Sequence, residues 1–230
     1  MIAIPLDRVA PLLRGTTEVE SVPGGIAPLR LPAWTRAQQA DEWIDLWAAH
    51  TLGVRLVALT SASRLRITAT VTRMAPSPGE EPLFVAAFVA AVGGRPVDTA
   101  VVTEGPRILT LADRSRRDEP GPAVSVDLDL GAAAGPREVV VWFPHSAAVV
   151  IHEVEADADL LAAPPSPLRR WVHHGSSISH SLEAPTPLET WPQLAATAVG
   201  RELTKHAIAG NAQHDPVVAR PKAAVPAGHV

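Results

Sequence analysis

Not one of the 230 residues is a cysteine. That excludes a disulfide framework, a thiolate nucleophile and any Cys-based zinc site. Long hydrophobic runs are missing as well. "LFVAAFVAAV" at 83–92 stops far short of the roughly 18–20 apolar residues of a membrane span, so no transmembrane helix is expected. No basic segment precedes the apolar N-terminal stretch, which Asp7 and Arg8 interrupt early; a secretory leader is not expected, and cytoplasm is the default compartment. Nor is there an excess of positive charge. The formal net charge is −4 and the pI about 6.1, so nucleic-acid binding lacks its electrostatic footprint. With 47% apolar and 19% charged residues the composition is that of a globular chain, long enough for one large core or two modest ones.

What is present divides in two. From about Val54 the apolar residues alternate, most clearly in "RLRITATVT" at 64–72, where Leu65, Ile67, Ala69 and Val71 are separated by Arg64, Arg66, Thr68 and Thr70. One buried and one wet face make this a β-strand. "VRLVAL" at 54–59 precedes it across "TSAS" and predicts a hairpin. Further strands are expected at 83–92, at 97–102 after the "GGRP" turn, and at 107–112, 123–130, 138–143 and 148–156. Short strands at this spacing with Gly/Pro-rich turns indicate an antiparallel jelly-roll-like sandwich. One helix is expected before them, over 37–50, with Trp43, Leu46 and Trp47 on one side.

Prolines 164, 165 and 167 then read as a stiff linker over 161–167, which separates a sandwich domain (1–160) from a second region (168–230). "LRRWVHH" reads as a strand entering a Gly-Ser loop. Thr190 is the better N-cap for the helix that follows, because a start at Thr186 would strand Pro192 inside the second turn. Trp191, Leu194, Ala195, Ala198, Val199 and Leu203 predict its buried stripe. Strand, loop and amphipathic helix are the opening unit of an α/β sheet.

A serine in such a loop can present its Oγ at the carboxyl end of the sheet, with backbone N–H groups facing a developing oxyanion. A bare Gly-Ser-Ser is more often a polar turn without chemistry, so the surrounding residues decide. "GSSIS" at 175–179 resembles block I of the SGNH (GDSL-like) hydrolase family, Gly-Asp-Ser-Leu/Ile-Ser. Gly175, Ser177, Ile178 and Ser179 match, and Ser176 stands where the family has aspartate. The longer stretch "WVHHGSSISHSLEAPTPLETWPQLAA" is similar to a branch of the family in which a β-sandwich precedes the hydrolase domain, and "AIAGNAQHDPVVAR" at 207–220 is similar to block II, with Gly210 in the glycine position. The resemblance implies a flavodoxin-like α/β domain and acyl transfer through an acyl-serine intermediate. Ser177 would be the nucleophile, and the N–H groups of Ser177 and Gly210 the oxyanion hole. The implied substrate is a small-molecule or carbohydrate ester, with hydrolase and acyltransferase both open; no cofactor, nucleic acid or membrane partner is implied.

Two family blocks, Gly-x-Asn and Asp-x-x-His, are absent. Asn211 adjoins Gly210, and His206, His214 and His229 have no aspartate three residues before them; Asp215 follows His214. From Leu168 onward the chain holds about two β-α units at roughly 30 residues each, so the reading is of a hydrolase domain truncated after block II. The alternative is a non-catalytic, carbohydrate-binding sandwich with a vestigial hydrolase segment, for which the six tryptophans offer stacking surfaces. Metal binding is not expected, since His173 and His174 are adjacent strand residues that point to opposite faces.

Overall fold

Period-two burial organises most of the molecule. The computed structural model describes residues 1–38, 42–110, 115–210 and 219–220. The first fifty residues carry four strands, β1 (Ile2–Ile4), β2 (Leu13–Arg14), β3 (Glu18–Val22) and β4 (Gly25–Leu29), and three short helices, α1 (Leu6–Val9), α2 (Ala33–Arg36) and α3 (Glu42–Ala49). Ten more strands complete the sandwich: β5 (Arg55–Thr60), β6 (Arg64–Ala75), β7 (Ala87–Val92), β8 (Arg95–Val101), β9 (Arg107–Thr110), β10 (Arg116–Glu119), β11 (Val124–Asp129), β12 (Arg137–Trp142), β13 (Ala148–Ala156) and β14 (Leu161–Ala162).

One sheet has eight strands, in the order β10-β9-β6-β13-β4-β3, with β11 also on β6 and β1 also on β13. The other has six, β14-β5-β12-β7-β8, with β2 also on β5. Pairing is antiparallel except between β6 and β9. The alternation in β6 is as expected: Leu65, Ile67, Ala69 and Val71 are buried, and its outer face carries Arg66, paired with Asp127 at 2.7 Å. Between the sheets, Phe88 and Phe143 meet edge to face at 5.2 Å among fully buried Leu56, Leu128 and Val141. Each such side chain contributes about 1.5–3 kcal/mol through burial.

One expectation fails on tertiary grounds. β5 and β6 do not form a hairpin. β5 pairs with β12, β14 and β2, and β6 with β13, β11 and β9, so 61–63 arch from one sheet to the other. An arch and a hairpin need the same turn residues; only the partner sheet differs. The expected helix over 37–50 begins, within the described residues, as α3 at Glu42, with Ile44, Leu46 and Ala48 buried and Trp43 and Trp47 half-buried.

After β14 the chain leaves the sandwich through the prolines, with Arg14 donating to the carbonyls of Ala163 and Pro164. There follow β15 (Arg169–Gly175), α4 (Ser177–His180), α5 (Trp191–Ala198) and β16 (Arg201–Ala207). β15 and β16 form a two-stranded parallel sheet with Gly175 opposite Ala207, the geometry of a β-α-β crossover. Thr190 is the residue before α5, as expected. The expected stripe is not the buried one. Pro192, Gln193 and Ala196 face inward, while Trp191, Leu194 and Val199 are 43%, 54% and 64% exposed, and Leu203 belongs to β16. Gly200, at φ 61°, ends the helix before Leu203 can join its stripe.

Candidate active site

Ser177 is the first residue of α4 and is exposed, standing where the chain leaves the carboxyl end of β15. Gly210 lies three residues past β16, also exposed, with φ 75°, a left-handed conformation that glycine adopts without cost. Because the two strands are parallel, both residues follow the same end of the sheet, where α/β ligands bind. Ile178 is 77% exposed and Ser179 is buried. Asn211, His214, Asp215 and His229 lie outside the described residues.

The turn around Ser177 is held from several sides. The N–H groups of His180 and Ser181 donate to the carbonyls of Ser176 and Ser177, each at 2.9 Å, closing the single turn. The Ile178 carbonyl accepts from Ser181 Oγ at 3.0 Å and from the Trp191 indole at 2.8 Å. Ser179 Oγ and His173 Nε2 are hydrogen-bonded at 2.9 Å, with the His173 ring between Trp171 and Trp191. Ser181, at φ 57°, is the one non-glycine residue with positive φ among the described residues, and it stops the helix after the single turn that the candidate nucleophile opens. Such a conformation costs about 1–2 kcal/mol and persists because its surroundings fix it.

Glycine is required at 175. A Cβ there would lie 2.0 Å from Ser179 Oγ and 2.5 Å from Ser179 Cβ, which is not the end of a flexible chain and cannot swing away. Gly175→Ala is therefore expected to push Ser179 off His173 and destabilise the protein by about 1–3 kcal/mol, read as a lower urea midpoint. An unchanged midpoint would show that the turn yields freely.

Behind the turn, facing the sandwich, lies a buried cluster that sequence reasoning did not find. His180 is fully buried; its Nε2 donates to the His145 carbonyl at 2.9 Å, and its ring meets His50 at 5.4 Å and Trp47 at 5.8 Å, both edge-on. Arg30 ties three segments together, donating to the carbonyls of His50 and Ala207 at 2.7 Å each and to that of Trp47. Lys205 packs against Gly53 and donates to Thr190. Burial pushes the cationic forms down throughout. Arg30 falls to about 9, and Lys205 to about 7 with help from Arg30 and Arg55. His50 falls to about 3, through burial and then the charges of Arg30 and His145. His145 falls to about 4, through burial and then Lys205, partly offset by the Ser181 and Leu182 backbone. His180 goes well below its ordinary value, again chiefly through burial. At neutral pH these imidazoles are neutral, and His180, which donates to a carbonyl, carries its proton on Nε2.

A second tie joins the two regions at the other end of the parallel pair. Arg55 lies over the Trp142 ring at 5.0 Å and pairs with Glu202 at 2.8 Å. Beside it opens a cleft of about 390 Å³, lined by Val57, Val140, Leu168, Gln193 and Leu203 among others. It sits at the amino ends of β15 and β16, about six strand rises, or roughly 20 Å, from their carboxyl ends, so it is not a pocket for Ser177.

Comparison with solved structures gives the geometry its relatives. The chain is similar to the salicylyl-acyltransferase SsfX3 from a tetracycline biosynthetic pathway, at 28% identity and a TM-score of 0.76, over 94% of this chain and 57% of that one. The solved structures it resembles are an acyltransferase, a GDSL-like lipase and a carbohydrate esterase, in keeping with the SGNH (GDSL-like) resemblance of the sequence. Its fold is shared by a GDSL-like lipase from Bacteroides ovatus, at 15% identity and a TM-score of 0.66 over 98% and 61% of the two chains. It is shared too by a family two carbohydrate esterase from Clostridium thermocellum in complex with cellohexaose, at 15% identity and a TM-score of 0.52 over 94% and 61%. The chain thus spans about three-fifths of the length of these structures. No protein-family model and no curated protein matches the sequence.

Proposed function

We propose that this chain is of the SGNH hydrolase kind and carries the nucleophile half of a serine acyl-transfer site, acting on esters of small molecules or carbohydrates. Ser177 Oγ attacks the ester carbonyl carbon, the carbonyl oxygen takes the negative charge, and the N–H groups of Ser177 and Gly210 stabilise it. Collapse of that intermediate breaks the ester C–O bond, the leaving oxygen takes up the proton that Ser177 gives up, and the alcohol departs from an acyl-serine that water or an acceptor hydroxyl then releases. Under this reading the parallel pair opens a flavodoxin-like α/β domain docked on the sandwich.

The observation that carries the proposal is the placement of Ser177: exposed, on a one-turn helix, between a glycine that admits no Cβ and a serine anchored to β15. A polar turn without chemistry needs none of these. The relatives' activities, salicylyl transfer and carbohydrate ester hydrolysis, both belong to this reaction class.

A fluorophosphonate probe with peptide mapping tests the assignment. Labelling is expected at Ser177 and nowhere else, slow because no base is assigned to that serine and read after prolonged exposure to the probe. Ser177→Ala should abolish it while changing folding stability by no more than about 0.5 kcal/mol, since an exposed hydroxyl contributes little packing. Labelling elsewhere, or none, would favour the non-catalytic sandwich.

A further inference from the structure

We propose that His180 is a positioning residue for Ser177: the β-sandwich, through Trp47, His50 and the His145 carbonyl, fixes the one-turn helix that presents the hydroxyl. This rests on the reading of Ser177 as nucleophile.

A four-residue helix does not sustain itself, because nucleation fixes several residues for very few hydrogen bonds. α4 therefore takes its orientation from tertiary contacts. Ser179 ties it to β15 and Ile178 ties it to Trp191 of α5, both in its own region. His180 ties it to the sandwich. Ser177 and His180 are three apart, so they lie on one side of the single turn, and a rotation that releases His180 also swings Ser177. The seat is specific. It takes a planar ring edge-on to two others, with a donor at the Nε2 position and no solvent access. The groups facing it are Arg30 after β4, Trp47 on α3, His50 after α3 and His145 before β13, with Lys205 of β16 acting on His145. If the ring is lost, a buried carbonyl loses its donor and the turn loses the hydrogen bond that His180 makes to the sandwich. A shift of about 1 Å in a reacting group costs on the order of 100-fold in rate.

The test compares His180→Phe, which fills the seat without a donor, with His180→Gln, which restores an N–H near the Nε2 position. The readouts are hydrogen–deuterium exchange of peptides covering 177–181 and the rate of fluorophosphonate labelling at Ser177. His180→Phe is expected to melt cooperatively, yet to exchange and label at rates changed by about tenfold or more, faster and slower respectively. His180→Gln should recover most of both. If His180→Phe fails to fold, Trp47→Phe loosens the same seat from the sandwich side and is read in the same way. A folded His180→Phe with wild-type exchange and labelling overturns the proposal, and so does a His180→Gln variant no better than His180→Phe. A wild-type chain that exchanges normally but never labels overturns the nucleophile on which the proposal rests, which separates that failure from the loss of positioning alone.

Discussion

Between pH 7.5 and pH 5 the thermal midpoint of this chain is expected to fall by about 10 °C or more. The cause is the buried seam between sandwich and nucleophile turn. His50 and His145 are held at about 3 and about 4, and His180 lies well below its ordinary 6.5. Below 6.5 the unfolded chain binds protons at these positions that the folded chain refuses, so stability present above 6.5 is lost as pH falls toward the folded values. Each imidazole contributes up to about 1.4 kcal/mol per pH unit in that window. Three together approach ~4 kcal/mol per unit, a large share of the 5–15 kcal/mol typical of a domain. Asp157, held below the usual carboxylate range first by its Ser63 hydrogen bond, does not contribute in this window. Lys205 extends the trend upward. At about 7 when folded and 10.5 when not, it adds stability as pH rises through that interval. Calorimetry at matched ionic strength reads the slope, and His50→Gln should reduce it by about one proton. A midpoint that stays level from pH 7.5 to 5 would mean the seam is open to water and its imidazoles titrate normally.

These groups were invisible in the sequence for a reason the contacts make plain. His145 and His180 are 35 residues apart and Arg30 and Ala207 are 177 apart, so no local spacing relates them. The strand and turn around Ser177 were legible because their parts are contiguous: Gly175, Ser177 and Ser179 fall within five residues. Strand β6 was legible because one face is buried along its whole length. β3 was not, since Glu18 and Glu20 spend their carboxylates on the Ala33 N–H and on Arg36, and its burial shows no alternation. Periodicity identified α5 as amphipathic but gave the wrong inner face, because Pro192, Gln193 and Ala196 pack inward where larger apolar residues were expected. The arch between β5 and β6 shows the same limit: turn chemistry specifies a reversal and leaves the partner sheet open.

Ester hydrolysis by the 230-residue chain is expected to be slow, no more than the roughly 10³–10⁴ over water that binding and an oxyanion hole sustain without a triad. A serine hydroxyl is a weak nucleophile unless a base takes its proton. Seven of the nine histidines lie among the described residues, and none is both exposed and uncommitted. His50, His145, His180 and His206 are buried. His152 uses both ring nitrogens on Thr70 and Gly24, His173 is bonded to Ser179, and His174 to the His206 carbonyl. No histidine in the sequence has an aspartate three residues before it, and Gly-x-Asn is absent, so the sequence does not supply the asparagine donor of that block. In a serine protease, loss of the nucleophile or its base costs on the order of 10⁶ in kcat, and a comparable deficit is expected here against a complete SGNH esterase. Initial rates on a p-nitrophenyl ester measure it. His214→Ala and His229→Ala should leave the slow rate unchanged, and Ser177→Ala should remove most of what remains above background. Rates typical of complete esterases, lost on either histidine substitution, would identify that histidine as the base. Polypeptide carrying Gly-x-Asn followed by Asp-x-x-His, joined after residue 230 or added as a second chain, is expected to raise the rate through Ser177, because the proton then has an acceptor and the oxyanion a third donor.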